Sequence, residues 1–426
     1  MKQILKAIGA SILAVCARLV IRRYKPKIVM VTGSVGKTST KDAVASVLAA
    51  RFFVRKSEKS FNSEFGVPFT ILGVGNPWGK PIAWLAVLKS AFTLLVLPNH
   101  YPAMLVLEVG ADKPGDLERI LRIATPDAVV LTRLPEIPVH VEAYASPDAV
   151  REEESLPAYA LPPSAPLVVN ADDEYALEAA ARTSARVITY GTSDESQVRV
   201  SAVDFRIEES EVVGMQAEVH VGEEKAVVTV RGSVGKTQIL PAAAAIAAAT
   251  AFDIALPEAL EALAAYEPPP GRGRLLRGKR GSVIVDDSYN ASPAAVEEAL
   301  ATLKEFPRAS RRIAVLGDML ELGRYSVMEH ERVGTLAAAS ADVVVSVGIR
   351  ARGLAAAAVK AGAQTETFDE SGSAGLALAD VVQEGDVILV KGSQGVRMER
   401  IVEQLLADSN DRTRLVRQEK EWLRRR

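Results

Sequence analysis

The chain has 426 residues, of which 48% are hydrophobic and 24% charged, and its formal net charge is −2. That length suits two or three globular domains, and the composition excludes a disordered or collagen-like chain. The near-neutral balance offers no electrostatic footprint for nucleic acid. The single cysteine, Cys16, excludes an intrachain disulfide and a cysteine-based metal site, and fits a reducing, cytoplasmic setting.

Residues 4–21 are apolar, with Lys6 and Arg18 inside the stretch and Arg22-Arg23 after it. The uncharged core, residues 7–17, is too short to span a bilayer. It has the length of a signal-peptide core, but no small-residue cleavage site follows it. Residues 1–26 are therefore expected to form an amphipathic helix that packs on the body of the protein or lies on a membrane face. An apolar run, residues 28–31, then leads into Thr32-Gly33-Ser34-Val35-Gly36-Lys37-Thr38-Ser39, followed by a helical pattern over residues 41–50. Strand, loop and helix in this order are the context of a phosphate-binding loop. Its glycines let the backbone turn tightly and point N–H groups inward. Lys37 would reach terminal phosphates, the Thr38 hydroxyl would sit on Mg²⁺, and the helix start adds partial positive charge. Val31 stands where the general pattern places its first glycine. Residues 82–97 form a second apolar stretch, interrupted by Lys89 and expected as a buried helix, with membrane contact as the alternative.

Residues 104–108, 128–132 and 167–170 read as buried strands. Glu108 ends the first of them, where an α/β sheet binds ligands, so it either holds Mg²⁺ or caps the next helix. His140 follows the second strand and is either a ligand or a structural histidine. Asn170-Ala171-Asp172-Asp173 reads as an Asx turn. Short alternating runs over residues 198–230 predict an antiparallel patch. The hexapeptide of the phosphate loop then recurs as Gly232-Ser233-Val234-Gly235-Lys236-Thr237. The first copy continues with the polar Ser39-Thr40-Lys41-Asp42, suited to a helix start facing an anion, and is the favoured nucleotide site. The second continues with Gln238-Ile239-Leu240-Pro241 and an alanine-rich helix, which does not exclude a site.

Glu267-Pro268-Pro269-Pro270-Gly271 is the clearest linker. Beyond it, strand-like residues 282–286, 312–316, 343–347 and 387–390 alternate with alanine-rich helices. The predicted fold is α/β throughout. A phosphate-loop ATPase domain with a parallel sheet spans residues 27–270, a Rossmann-like doubly wound domain spans 271–408, and a basic surface helix, or an anionic-membrane contact, spans 409–426. Residues 286–293 carry acceptors for ribose hydroxyls and an amide able to read an adenine edge, or else form a helix-capping turn at Ser292-Pro293. Residues 316–323 and 390–395 also end strands, and three such loops at one sheet edge argue for a shared site beneath a closing cleft.

Thr32 to Thr40 in the first loop, Ser60-Phe61-Asn62, Gly66-Val67-Pro68-Phe69-Thr70, Leu107-Glu108-Val109-Gly110-Ala111 and Pro270-Gly271-Arg272 together resemble the ATP-dependent Mur ligases, over about residues 25–405. Residues 286–293, 317–323 and 391–393 look most like the branch that adds D-alanyl-D-alanine to a UDP-muramoyl tripeptide. The resemblance implies ATP and Mg²⁺ as cofactors. By position it gives the ATP phosphates to Lys37 and the loop Gly33, Ser34, Val35, Gly36, Thr38 and Ser39, and Mg²⁺ to Thr38 and Glu108. It sets His140 near a second metal, Asn290 on adenine, Asp287 on ribose, and Arg272 as a linker arginine that reaches the phosphates on closure. Asn62 falls in the substrate-side loop, while Asp318, Glu321, Lys391 and Ser393 would face the incoming amine. The family's metal-binding carbamylated lysine falls on Glu154, a permanent carboxylate; the alternative is that Glu152, Glu153 and Glu154 form a solvated helix face. The first hexapeptide would be the sole nucleotide site. The family usually carries an N-terminal UDP-sugar domain, and here the phosphate loop begins near residue 32, which leaves space for one helix.

The implied activity is carboxylate–amine ligation through an acyl phosphate, on small-molecule or peptide substrates, by a cytoplasmic monomer. Ligation on another polymer or cofactor, and a nucleotide-binding scaffold without turnover, are the alternatives.

Overall fold

Short runs of valine, leucine and isoleucine, buried on both faces, make the centre of a nine-stranded sheet. In β1 (Lys27–Thr32) every residue after Lys27 is buried. Its side chains alternate: Val29 and Val31 join the core on one face, Ile28 and Met30 the core on the other, as the two-residue period of a strand requires. The computed structural model describes residues 2–58, 61–77 and 81–424; Ser60 of the Ser60-Phe61-Asn62 motif and Arg426 of the basic end lie outside these residues.

The other strands of this sheet are β2 (Val54–Lys56), β3 (Met104–Glu108), β4 (Ala128–Leu131), β5 (Pro166–Asn170), β6 (Arg186–Gly191), β7 (Val198–Glu208), β8 (Glu211–Val221) and β9 (Glu224–Arg231). Their order is β2-β3-β1-β4-β5-β6-β7-β8-β9. All neighbours from β2 to β7 run parallel, and β7 to β9 form an antiparallel extension. The phosphate loop thus leaves a central strand.

A second sheet is built from β10 (Arg274–Arg277), β11 (Val283–Asp287), β12 (Arg311–Gly317), β13 (Val343–Val347), β14 (Gln364–Phe368) and β15 (Asp386–Lys391), in the order β10-β11-β15-β12-β13-β14. Only β10 is antiparallel to its neighbour. Loops at the carboxyl ends of β11, β12 and β15 face the carboxyl ends of β1 and β3 in the first sheet, which is where parallel α/β sheets bind ligands.

Helices of the first half that bear on the site and its surroundings include α1 (Lys2–Tyr24), α2 (Lys37–Leu48), α3 (Gly66–Leu72) and α4 (Pro81–Val96). Helix α2 packs beside the alanine-rich helix Lys236–Ala251, whose small side chains allow close approach. Helices α1, α3 and α4 cover the opposite face. No helix among the described residues is long and apolar enough to cross a membrane.

Two expectations fail. The stretch at 82–97 is helical, but only one face of it is buried: Val87, Ala91 and Leu94 are in the core, while Ile82, Leu85, Phe92 and Val96 point outward. The basic end is not one surface helix. A 3₁₀ turn, Ser409–Arg414, and a short helix, Lys420–Leu423, flank an extended piece in which Leu415, Val416 and Arg417 are buried. Arg417 has a positive φ of 59° and anchors this piece through Glu399 Oε2 at 2.9 Å and the carbonyls of Ser288 and Tyr289. A continuous helix would have left the Leu415-Val416 pair in water.

Candidate active site

At the end of β1 the chain turns through Gly33, whose φ is +114°. A Cβ at this position would lie 2.3 Å from Thr132 Oγ1, so the turn admits only glycine. Ser34 N donates to Arg133 O at 2.8 Å and ties the loop to the end of the neighbouring strand. Gly36 precedes α2 without any side-chain cap, which leaves the helix start open to an anion.

Lys37 Nζ donates to Gly33 O and stands 3.6 Å from Glu154 Oε1. Glu154 is only 2% exposed. Its carboxylate accepts from Thr32 Oγ1 at 2.9 Å, Gly33 N at 3.3 Å and Ala111 N at 3.5 Å. It is therefore not on a solvated helix face. Of its neighbours, Glu152 pairs with Arg182 at 2.6 Å, and Glu153 accepts from the Gly115 and Leu117 amides at 3.0 and 2.9 Å. Three consecutive glutamates thus have three separate partners.

Glu108 ends β3 directly beside Val31. Its Oε1 accepts from Thr38 Oγ1 at 3.2 Å, and its Oε2 is buried with no hydrogen-bond partner among the described residues. Lys41 Nζ lies 3.8 Å from that oxygen. Burial pushes the Glu108 carboxyl above its usual range, against the pull of Lys41, Lys37, Arg272 and the Thr38 hydroxyl. A hydroxyl beside an unsatisfied carboxylate oxygen is a donor set suited to a hard divalent cation that keeps phosphate and water as its other ligands. The sequence places Lys41 in a polar helix start, not beside Glu108. It is 1% exposed and also stands 3.2 Å from Asp42. Its position one helical turn after Lys37 was the available signal.

His140 has a φ of +64°. Its Nδ1 is 2.9 Å from Glu321 Oε2 in the second domain, and its Nε2 is 3.6 Å from Asp112 Oδ1. Burial opposes its protonation, but the Glu321 hydrogen bond and the charges of Glu321 and Asp112 outweigh that and raise its pKa. The His140 hydrogen bond in turn lowers that of Glu321. Of the expected metal ligands, Thr38 and Glu108 stand together, His140 pairs with Glu321, and Glu154 faces the phosphate loop; among the described residues no group of three or more His, Cys, Asp or Glu is placed to hold a metal. Glu154 is instead committed to the phosphate loop, and His140 to the contact between domains.

The second domain supplies the facing wall. Arg272 lies over the Tyr289 ring, 4.3 Å from its centroid, and its Nη2 donates to Thr38 Oγ1 at 3.5 Å. Arg133 Nη1 donates to Glu298 Oε1 at 2.8 Å across the same boundary. These contacts hold the two domains closed over a cavity of about 590 Å³, within the range of small-molecule sites. Its walls include Ser34 to Thr38, Asn62, Glu108, His140, Arg272, Asn290, Glu321 and Ser393.

Gly33, Ser39, Glu154, Asp287, Asp318 and Lys391 stand behind that wall. Lys391 is buried, with Nζ donating to Asp287 Oδ2 at 2.6 Å and to Asn290 O at 3.1 Å. Burial lowers its pKa although Asp287 acts against this. Asp318 Oδ1 accepts from the Ala351 amide at 2.7 Å, at the start of the helix Ala351–Lys360. Lys391 and Asp318 therefore shape the loops, and do not face an incoming amine as expected. Tyr289, Glu419 and Trp422 also line the cavity and were not anticipated. The two tail residues carry no motif, and only the docking of Leu415 to Arg417 brings them there.

A phosphate loop, an acidic strand end beside it and a linker arginine, closed over by a second doubly wound domain, define a two-domain nucleotide-dependent ligase. Residues 31–249 match the Mur ligase middle domain, and residues 271–394 match the Mur ligase glutamate ligase domain. The chain belongs to the Mur ligase family and is an ATP-dependent, amide-bond-forming ligase. The UDP-N-acetylmuramoyl-tripeptide–D-alanyl-D-alanine ligase of Mycobacterium tuberculosis is 30% identical over 428 aligned positions, which cover 95% of this chain and 77% of the relative. The Bacillus subtilis ligase of the same name is 27% identical, with 92% and 78% covered. The crystal structure of a MurF ligase from Thermotoga maritima in complex with ADP superposes with a TM-score of 0.76 at 26% identity, covering 93% of this chain and 83% of that one.

Proposed function

We propose that this chain joins D-alanyl-D-alanine to the peptide carboxylate of a UDP-N-acetylmuramoyl tripeptide, as a cytoplasmic monomer. The observation that carries this reading is the meeting of Lys37, the Thr38–Glu108 pair and Arg272 in one cleft between domains. The activity named for its relatives supports the choice of substrates.

The γ-phosphoryl group of ATP passes to the substrate carboxylate, giving an acyl phosphate and ADP. The amine of the dipeptide then attacks the acyl carbon, the C–O bond to phosphate breaks, and the amine loses its proton as the amide forms. Lys37 leaves Gly33 O to meet the phosphates, and Arg272 offsets charge on the moving group. A bound Mg²⁺ would be held by Thr38 and Glu108 and would neutralise phosphate charge. Glu154 fixes the loop from behind. Asn290 and Tyr289 offer an amide edge and a ring to the base. Asn62 serves the carboxylate side, while Glu321 and Ser393 serve the amine side. Closure through His140–Glu321 and Arg133–Glu298 keeps water from the acyl phosphate.

The test is phosphate release by the purified protein with ATP, Mg²⁺, UDP-N-acetylmuramoyl tripeptide and D-alanyl-D-alanine. Release that requires both co-substrates is expected. Tight ATP binding with no turnover on these or related carboxylates and amines would overturn the reading in favour of a scaffold.

A further inference from the structure

Helices α1 and α4 lie side by side and run in the same direction. Gly9 sits against the Trp84 ring near their starts. Near their ends Tyr24 OH donates to Leu94 O at 2.7 Å, and Arg23 donates to the carbonyls of Leu95 and Leu97. Each buries one face: Leu13, Ala17 and Val20 on α1, Val87, Ala91 and Leu94 on α4.

Their outward faces are apolar as well. On α4, Ile82 is 82% exposed, Leu85 66% and Phe92 65%, and Val96 continues the same helical stripe. Ile12 and Val15 do the same on α1. Of the twenty large hydrophobic side chains exposed among the described residues, nine fall within residues 12–97 on or just after these two helices. Scattered exposed leucines need no explanation, but a contiguous concentration on two adjacent helices does.

Charge decides what the surface fits. No acidic residue occurs in residues 1–41 or in residues 65–107. Cationic side chains punctuate the apolar stripes instead: Arg18 and Arg22 are exposed on α1, and Lys89 is exposed in the middle of the α4 stripe. A protein partner of ordinary composition gives no reason to exclude carboxylates so completely. An anionic lipid surface does, because it takes the apolar side chains into the acyl boundary and the cations among its headgroups.

We propose that the paired outward faces of α1 and α4 dock this ligase on an anionic phospholipid bilayer, lying in the interface without spanning it. The inference is independent of the ligase reading, since none of these side chains lines the cleft. The experiment is co-sedimentation of the full chain with vesicles of phosphatidylcholine alone and of an equimolar mixture with phosphatidylglycerol, beside light scattering to fix the oligomeric state. Binding to the anionic vesicles, weakened by salt, is expected. The double variant Ile82→Ser/Phe92→Ser should bind at least about tenfold more weakly, and Lys89→Glu should shift binding in the same direction. All three residues are exposed, so thermal melts and ATP turnover in solution should match wild type. Failure to bind either vesicle overturns the proposal. So does a dimer that Ile82→Ser/Phe92→Ser dissolves, which would make the surface a self-association face.

Discussion

One hexapeptide, Gly-Ser-Val-Gly-Lys-Thr, occurs at residues 33–38 and again at 232–237, and its two settings differ in what lies before and opposite it. The first copy follows β1, a parallel strand with a neighbour on each side, so its loop opens at the carboxyl edge of the sheet. The second follows β9, an antiparallel strand at the sheet's edge. There Val234 N donates to Gly273 O at 2.9 Å, Leu275 N donates to Gly232 O at 3.0 Å, and Ser233 Oγ donates to Arg272 O at 2.6 Å. The Ser34 hydroxyl of the first copy is buried with no hydrogen-bond partner among the described residues, whereas its counterpart Ser233 is used to hold the interdomain linker. Through Arg272 the second copy still serves the first, because it fixes the backbone of the arginine that reaches Thr38. Loop sequence alone does not make a nucleotide site; the strand that delivers it does.

The sharpest way to break this contrast is to remove each lysine. Lys37→Ala should lower turnover about a thousandfold or more, since phosphoryl transfer depends on charge placed beside the moving group. Lys236 is exposed, and Lys236→Ala should leave ATP affinity nearly unchanged. Titration of both variants with a fluorescent ATP analogue checks this, and equal losses of affinity would show that both copies bind nucleotide.

A smaller effect is expected where the first copy has a buried acid and the second has the linker. Glu154→Gln keeps an acceptor for Thr32 and Gly33 but removes the charge facing Lys37. A fall of about tenfold in kcat/KM for ATP is expected. Because Glu154 is not clustered with Glu108 and His140, the Mg²⁺ concentration for half-maximal activity should change little. A large shift in that concentration would restore Glu154 to the metal set.

That the phosphate loop, Glu108, Asn290 and Arg272 would meet at one cleft was legible, because each sits in a short motif whose chemistry depends on local order. The strands were legible for the same reason: a buried parallel strand is a short run of branched apolar residues. What the sequence hid was long-range. Nothing near Glu154 says that its carboxylate turns inward onto Gly33 while Glu152 and Glu153 turn elsewhere. Lys391 and Asp318 carry charges that look suited to substrate, yet Asp287 and the Ala351 amide claim them. The apolar stretch at 82–97 reads as core by composition, because composition does not reveal which face a helix leaves uncovered. The tail reads as a charged helix until the buried Arg417 shows where Leu415 and Val416 go.

The mildest test addresses how firmly the second copy grips the linker. Gly273 has a φ of +65°, and a Cβ there would lie 2.5 Å from Val234 O. Gly273→Ala therefore meets both a disfavoured backbone region and a backbone carbonyl that is itself anchored. The expected cost is about 1–3 kcal/mol of stability, read as a drop of a few degrees in Tm. Gly232→Ala is the control: its φ is +74°, but a Cβ there meets nothing within 4 Å, so only backbone strain remains and the loss should be the smaller of the two. If the grip also sets Arg272, Gly273→Ala should raise KM for ATP while Gly232→Ala does so less. Equal melting temperatures for the two variants would mean that Val234 yields easily, and that the second copy is a loose turn and not a clamp.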